Sequence, residues 1–265
     1  MNRAILLITV ILLTTPVSVV HAQKAKDLLV LYTFQEGNGD TVKDVSDFGK
    51  PLDLTVNKAG VHKWIAGGGL TINKPGLFAS AGPATKIIEA CKKTNEITIQ
   101  AWVTPANDTN QGPARIVTLS ANPSNRNFTV GQDTTGYQIR LRTTTTGNNG
   151  VNPALAIPNA VVPNKMVKLV YTFAAEEAKF YIDGKEVGKL KVVGTFDTWD
   201  DNYKFGLGHE LDLADDLGRL FLGDYFLVAV YSRAIPPNQL PGDEFFAVEA
   251  RDKLPVTWGR IKASR

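Results

Sequence analysis

Residues 179–187 read Lys179-Phe180-Tyr181-Ile182-Asp183-Gly184-Lys185-Glu186-Val187. Phe180, Tyr181 and Ile182 are side chains that suit a pleated, half-buried surface. Asp183-Gly184 suits a two-residue hairpin turn, because both central positions of such a turn take positive φ. The chain then returns through Lys185 to Leu190. The hairpin decides the fold through its place in a long run of similar segments.

Upstream, Leu28 to Phe34, Leu52 to Val56 and Gly69 to Ile72 read as strands. Between them lies the turn cluster Glu36-Gly37-Asn38-Gly39-Asp40. Glu96 to Val103 alternates, with Ile97, Ile99 and Ala101 pointing one way and Thr98, Gln100 and Trp102 the other. Ile116 to Ser120, Phe128 to Gly131, Tyr137 to Arg142 and Met166 to Phe173 follow. Downstream of the hairpin come Lys204 to Leu207 and Tyr225 to Tyr231. Only Ala84 to Cys91 has helical spacing before the C-terminus, with Ile87, Ile88 and Cys91 on one face. Many short strands, few helices and turns rich in Gly, Pro and Asn predict an all-β fold. The expected architecture is a two-sheet antiparallel jelly-roll sandwich with short peripheral helices. The tract Thr143 to Asn149 reads as a long exposed loop.

Compartment is read from the first residues. Arg3 precedes an apolar run from Ala4 to Val20, and Val20-His21-Ala22 has the small-x-small form of a cleavage site. Residues 1–22 are therefore expected to be a Sec-type signal peptide, and the product secreted or periplasmic. The alternative, a membrane anchor, needs a run at the short limit that tolerates Thr14, Thr15 and Pro16. No later stretch is long and apolar enough to cross a bilayer. The jelly roll is expected over 23–240, with a C-terminal helix or tail over 241–265. The 29 basic and 26 acidic residues nearly balance, at a formal net charge of +3, and no basic cluster suggests nucleic acid. Cys91 is the single cysteine, so an intramolecular disulfide is excluded. A small buried side chain on a short helix is its expected role.

Three blocks resemble a laminin-G-like domain of the concanavalin A-like lectin/glucanase superfamily, and Arg126-Asn127-Phe128-Thr129-Val130-Gly131-Gln132 resembles exported bacterial members of it. The first is Leu31-Tyr32-Thr33-Phe34-Gln35-Glu36-Gly37 with Val42-Lys43-Asp44-Val45-Ser46. The second is Glu96-Ile97-Thr98-Ile99-Gln100-Ala101-Trp102-Val103. The third joins Leu169-Val170-Tyr171-Thr172, the Phe180 to Lys185 hairpin and Val228 to Ile235. Their order and spacing span Leu28 to Leu240. The resemblance implies a two-sheet jelly roll, frequently a calcium ion, and often a glycan or a surface protein as partner. It points to Asp44 and Asp47 in the family's Asp-Ser loop as calcium ligands. A further acid often comes from the last strand of the family. Here that position is Phe226, and Asp224 lies two residues earlier.

Sugar binding needs aromatic faces with polar neighbours. Trp199, in the polar loop Asp197-Thr198-Trp199-Asp200-Asp201-Asn202-Tyr203, is the first candidate, with Asp200 beside it and Tyr137 elsewhere. The alternative for Trp199 is a loop anchor packed on the sandwich. Catalysis is weighed through Glu210-Leu211-Asp212-Leu213-Ala214-Asp215, which resembles the Glu-x-Asp-x-x-Glu strand of laminarinase-type glucanases. There, alternate carboxylates share a face and act as nucleophile and acid/base. Here the third acid is Asp, Asp216 and Gly218 read as loop, and the segment precedes the last strand. No Gly-x-Ser-x-Gly elbow, zinc spacing or phosphate loop occurs. The expectation is a non-catalytic exported binding module for carbohydrate or a cell-surface component. A structural or protein-interaction module is the alternative, and a laminarinase-type glycoside hydrolase is a minor one.

Overall fold

Residues 27–212 and 217–242 are described by the structure, a computed structural model of the chain. The signal-peptide and C-terminal-helix expectations therefore fall mostly outside the described residues.

In chain order the strands begin with β1 (Leu28–Tyr32), β2 (Thr41–Val42), β3 (Leu54–Val56) and β4 (His62–Trp64). Next come β5 (Leu70–Ile72), β6 (Phe78–Ser80), the helix α1 (Thr85–Thr94) and β7 (Ile97–Pro105). The middle of the chain supplies β8 (Ala114–Asn122), β9 (Asn125–Asp133), β10 (Gly136–Leu141) and β11 (Leu155–Ile157). The last five are β12 (Val167–Ala174), β13 (Glu177–Ile182), β14 (Lys185–Lys191), β15 (Lys204–Leu207) and β16 (Gly223–Tyr231).

They form two eight-stranded antiparallel sheets. The first runs β14-β13-β12-β7-β16-β5-β4, with β1 also paired to β16. The second runs β11-β10-β9-β8-β15-β6-β3-β2. The result is the jelly-roll sandwich that the strand pattern predicts. β1 and β5 share one side of β16: Leu31 faces Ala229, and Thr71 faces Asp224. The hairpin of β13 and β14 turns at Asp183 and Gly184, with φ of 50° and 80°. Ile182 pairs with Lys185 across it, as a two-residue turn requires.

The core lies between the sheets. β7 contributes Ile97, Ile99, Ala101 and Val103, and β12 contributes Val167, Leu169, Tyr171 and Phe173. From the second sheet come Val117, Leu119, Phe128, Val130, Tyr137 and Ile139. A smaller apolar cluster of Leu28, Leu31, Trp102, Leu227, Ala229 and Tyr231 covers the outer side of the first sheet. It is capped by Ile235 and Leu240. Helix α1 seats Ile87, Ile88 and Cys91 in the core, as its spacing predicts.

One loop differs from expectation. The Thr143 to Asn149 tract is tied down, not a free exposed loop. Thr143 and Thr146 are buried, Thr143 Oγ1 donates to Val193 O at 2.7 Å, and Thr146 Oγ1 donates to Leu141 O at 2.8 Å. Threonine hydroxyls that bond nearby backbone build compact turns, so a low-complexity threonine run need not be loose.

Candidate functional site

The outer face of the second sheet is polar. Along β8 the apolar Val117 and Leu119 turn to the core, while Arg115, Thr118 and Ser120 take the other side. On β9, Phe128 and Val130 face the core and Thr129 lies between them, facing out. On β10, Gln138 and Arg140 alternate with the core residues Tyr137, Ile139 and Leu141. Register shifts in β8 between Arg115 and Val117 and between Leu119 and Ser120 adjust which residues share this face.

The segment after β15 brings Glu210 to this face. Glu210 Oε2 accepts from Arg115 Nε at 2.8 Å and Nη2 at 2.5 Å. Its Oε1 accepts from Ser120 Oγ at 2.9 Å and from the Leu211 amide at 3.0 Å. The network continues from Ser120. Thr118 Oγ1 donates to Ser120 Oγ at 3.1 Å or shares a proton with Thr129 Oγ1 at 2.8 Å. Arg126 Nη1 donates to Thr129 Oγ1 at 3.0 Å, and its Nη2 donates to Pro123 O. Arg115, Arg126, Glu210, Thr118 and Thr129 are all fully buried.

Charge is concentrated in this network. Burial works to raise the Glu210 carboxyl, but the charge of Arg115 and the bonds from Leu211, Ser120 and Arg115 hold it below its ordinary value. Glu210 is therefore ionised. Burial pulls Arg115 down against the attraction of Glu210, yet an arginine stays protonated in proteins, so the pair is a true ion pair. Burial, then the charges of Arg115 and Arg140, draw Arg126 down to about 9. Burial, then Arg115, draws Arg140 down to about 10. Both remain cationic at neutral pH. Arg140 is half-buried and bonds to neutral partners, Gln138 Oε1 at 2.6 Å and Asn149 Oδ1 at 3.1 Å. Arg126 Nε is buried without a hydrogen-bond partner among the described residues. Among the described residues, the buried Glu210 carboxylate acts on the guanidinium groups of Arg115, Arg126 and Arg140, with Asp212 also acting on Arg115 and Asp133 on Arg140, in a place water reaches poorly.

The residues singled out from sequence lie elsewhere. Trp199 is no sugar platform: it is only 2% exposed, stacks on Phe196 at 4.4 Å between centroids, and donates from Nε1 to Arg142 O at 2.7 Å. Its indole is the anchor of the loop. Tyr137 is no sugar platform either, because its ring belongs to the core, 5.9 Å from that of Phe180. Asp200 is half-buried and closes an Asx-type turn, accepting from the Asn202 amide at 2.9 Å. His209, next to Glu210 in the chain, is buried with Nδ1 3.0 Å from Glu210 O.

The calcium ligands expected from the resemblance are not brought together. Asp44 is buried on the far side of β1 from β16 and bonds the Leu31 amide at 3.1 Å. Asp224 sits further along β16, accepting from Thr71 Oγ1 at 2.6 Å. Asp47 is exposed. Among the described residues no group of three His, Cys, Asp or Glu is placed to hold a metal ion. Both oxygens of Asp44 are already used: Oδ1 by the Leu31 and Ser46 amides, and Oδ2 by the Leu52 amide and the Lys86 ammonium. The set Asp44, Asp47 and Asp224 therefore does not fit calcium.

The family model that matches the chain is described as the Concanavalin A-like lectin/glucanases superfamily, and it covers residues 81–240. The chain belongs to this superfamily. The match takes in β7 to β16 and with them the polar face. Solved structures add a likeness of fold. Trypanosoma rangeli sialidase in complex with sialic acid shares 17% identity at a TM-score of 0.55. That match covers 80% of this chain and 31% of the sialidase, so the chain spans about a third of that enzyme's length. The binding domain of botulinum neurotoxin DC, in complex with rat synaptotagmin II, shares 12% identity at a TM-score of 0.56, covering 79% of this chain and 49% of its own. The serotype C1 binding domain matches at the same 12% and 0.56. Among curated proteins none matches by sequence.

Sequence reading missed Arg115, Arg126 and Arg140. The signal was present in β10, where Gln138 and Arg140 interleave with Tyr137, Ile139 and Leu141. It was broken in β8, where the register shifts interrupt the period-two pattern.

Proposed function

We propose that the chain is an exported, non-catalytic binding module that recognises an acidic carbohydrate, or an acidic group on another cell-surface component, with the outer face of the second sheet. The observation that carries this reading is the gathering of the guanidinium groups of Arg115, Arg126 and Arg140 around the buried carboxylate of Glu210. Guanidinium forks match carboxylate and sulfate oxygens in pairs, and a poorly hydrated setting strengthens such bonds. Half-buried Arg140 and Gln138 and exposed Lys204 give the face a solvent-reachable rim. Sandwiches of this fold occur in a sialidase solved in complex with sialic acid and in a neurotoxin binding domain solved in complex with synaptotagmin II. At their identities this supports the fold and leaves the ligand to experiment.

A glycan array comparing sialylated, uronic-acid and sulfated glycans with their neutral counterparts tests the reading. Binding of charged glycans, weakening with salt and falling at least tenfold in a folded Arg140→Gln variant, is the expected result. Equal binding of neutral glycans, or no change in Arg140→Gln, removes it.

One observation favours a second reading. Glu210 is held low while Asp212 is pushed up, by desolvation first and by the charge of Glu210 second. Two carboxyls driven apart in this way are what a glycosidase uses. Against it, Asp212 is exposed, and Arg115, Ser120 and the Leu211 amide occupy both oxygens of Glu210. Hydrolysis of any β-glucan on the array that is lost in Glu210→Gln would establish that reading instead.

A further inference from the structure

The loop 44–48 is built around a cation, and the cation is a side chain. Lys86 stands in the first turn of α1, where the helix dipole disfavours positive charge. Its ammonium is nevertheless held, reaching across to the loop that follows β2. It donates to Asp44 Oδ2, to Phe48 O at 2.8 Å, and to Ser46 Oγ at 3.4 Å. Three N–H groups thus meet three oxygens of one five-residue loop, a carboxylate, a carbonyl and a hydroxyl. The same oxygen types bind hard divalent metals from loops.

The site is enclosed. The Asp44 side chain is 0% exposed and that of Lys86 12%. The rest of the loop is fixed to β1, through Ser46 Oγ to Leu29 O at 3.0 Å and the Val45 amide to Leu31 O at 2.9 Å. Asp47 turns out to solvent with φ of 58°, which lets the chain double back so that Phe48 presents its carbonyl to the ammonium.

We propose that Lys86 is a tethered replacement for a bound divalent ion, so that this domain closes the 44–48 loop with no metal requirement. The inference is independent of what the polar face of the second sheet binds. It explains why the Asp44, Asp47 and Asp224 set fails to converge: the ammonium of Lys86 already supplies the charge that the loop needs.

Thermal melting in EDTA and in millimolar calcium chloride tests the idea on the full chain. The wild-type midpoint is expected to be the same in both. Lys86→Ala removes the charge and opens space beside the oxygens, so its midpoint falls by about 10 °C in EDTA and recovers in part with calcium. Lys86→Met, which fills the space without charge, falls without recovery. The double variant D44N/K86M, which removes both charges, melts above Lys86→Met alone. A wild type that melts lower in EDTA overturns the proposal. So does a folded Lys86→Ala that ignores calcium. If neither single variant folds, a D44N/K86M double variant that also fails to fold overturns it, and one that folds supports it.

Discussion

Arg115 and Glu210 set the energetics of the polar face at the level of single residues. Each is fully buried and each is the other's main partner. Removing one leaves the other charged and unpaired, which costs about 3–5 kcal/mol. Chemical denaturation of Arg115→Ala should show a loss of that size, whereas Lys92→Ala, at a pair whose Asp201 is largely exposed, should lose less than about 1 kcal/mol. A change to Arg115 with no effect on stability would mean that the pair is not formed. The same residues give a pH dependence. Glu210 and Asp44 both have folded-state carboxyls held below their ordinary values. At Asp44 burial opposes this, and the Lys86 bond and three amides overcome it. Groups depressed in the folded state stabilise it fully above the unfolded carboxylate range and lose that contribution as pH falls through their lower folded values. Denaturation midpoints should therefore be flat above about pH 5 and fall below about pH 4. Arg115→Ala should flatten that fall.

Trp199 shows what elements add to residues. In sequence it stands in a loop of Asp, Thr and Asn, and polarity suggested exposure. The loop is in fact pinned to β9, where Asn127 bonds the Asp200 carbonyl at 3.0 Å and its amide at 2.9 Å. That brings the indole down on Phe196 and Phe128. Trp199→Ala should cost about 3–5 kcal/mol in denaturation and leave ligand affinity unchanged in the folded fraction. A Trp199 variant of undiminished stability that loses glycan binding would restore its role as a platform. Strands with clean alternation, β7 and β10, and the Asp183-Gly184 hairpin were legible because side-chain period and turn chemistry are local properties. Among the three-residue strands, β3 and β5 were legible as apolar stretches, whereas β4 and β11 were not, because so few residues carry no period of their own. The polar site was hidden for a related reason. Arg115 and Glu210 are 95 positions apart, and only the pairing of β8 with β15 carries the chain between them to one face.

The whole molecule holds together without covalent help. Cys91 is completely buried in the main core, and burial pushes its thiol far above the ordinary value. A thiolate is the reactive form, so a thiol reagent should leave the native protein unmodified and react only on unfolding. Reductant should leave the melting midpoint unmoved. Rapid native labelling would show that the core opens at α1. Among the described residues no helix is long and apolar enough to cross a membrane.

β16 is both the last strand among the described residues and one of the most central in its sheet, flanked by β7 on one side and by β1 and β5 in succession on the other. Until Gly223 to Tyr231 has been synthesised, β1 has the 44–48 loop beside it but no strand partner. The first sheet therefore closes only after nearly the entire domain has left the ribosome. A chain whose keystone strand arrives last cannot complete this sheet while it is still being made.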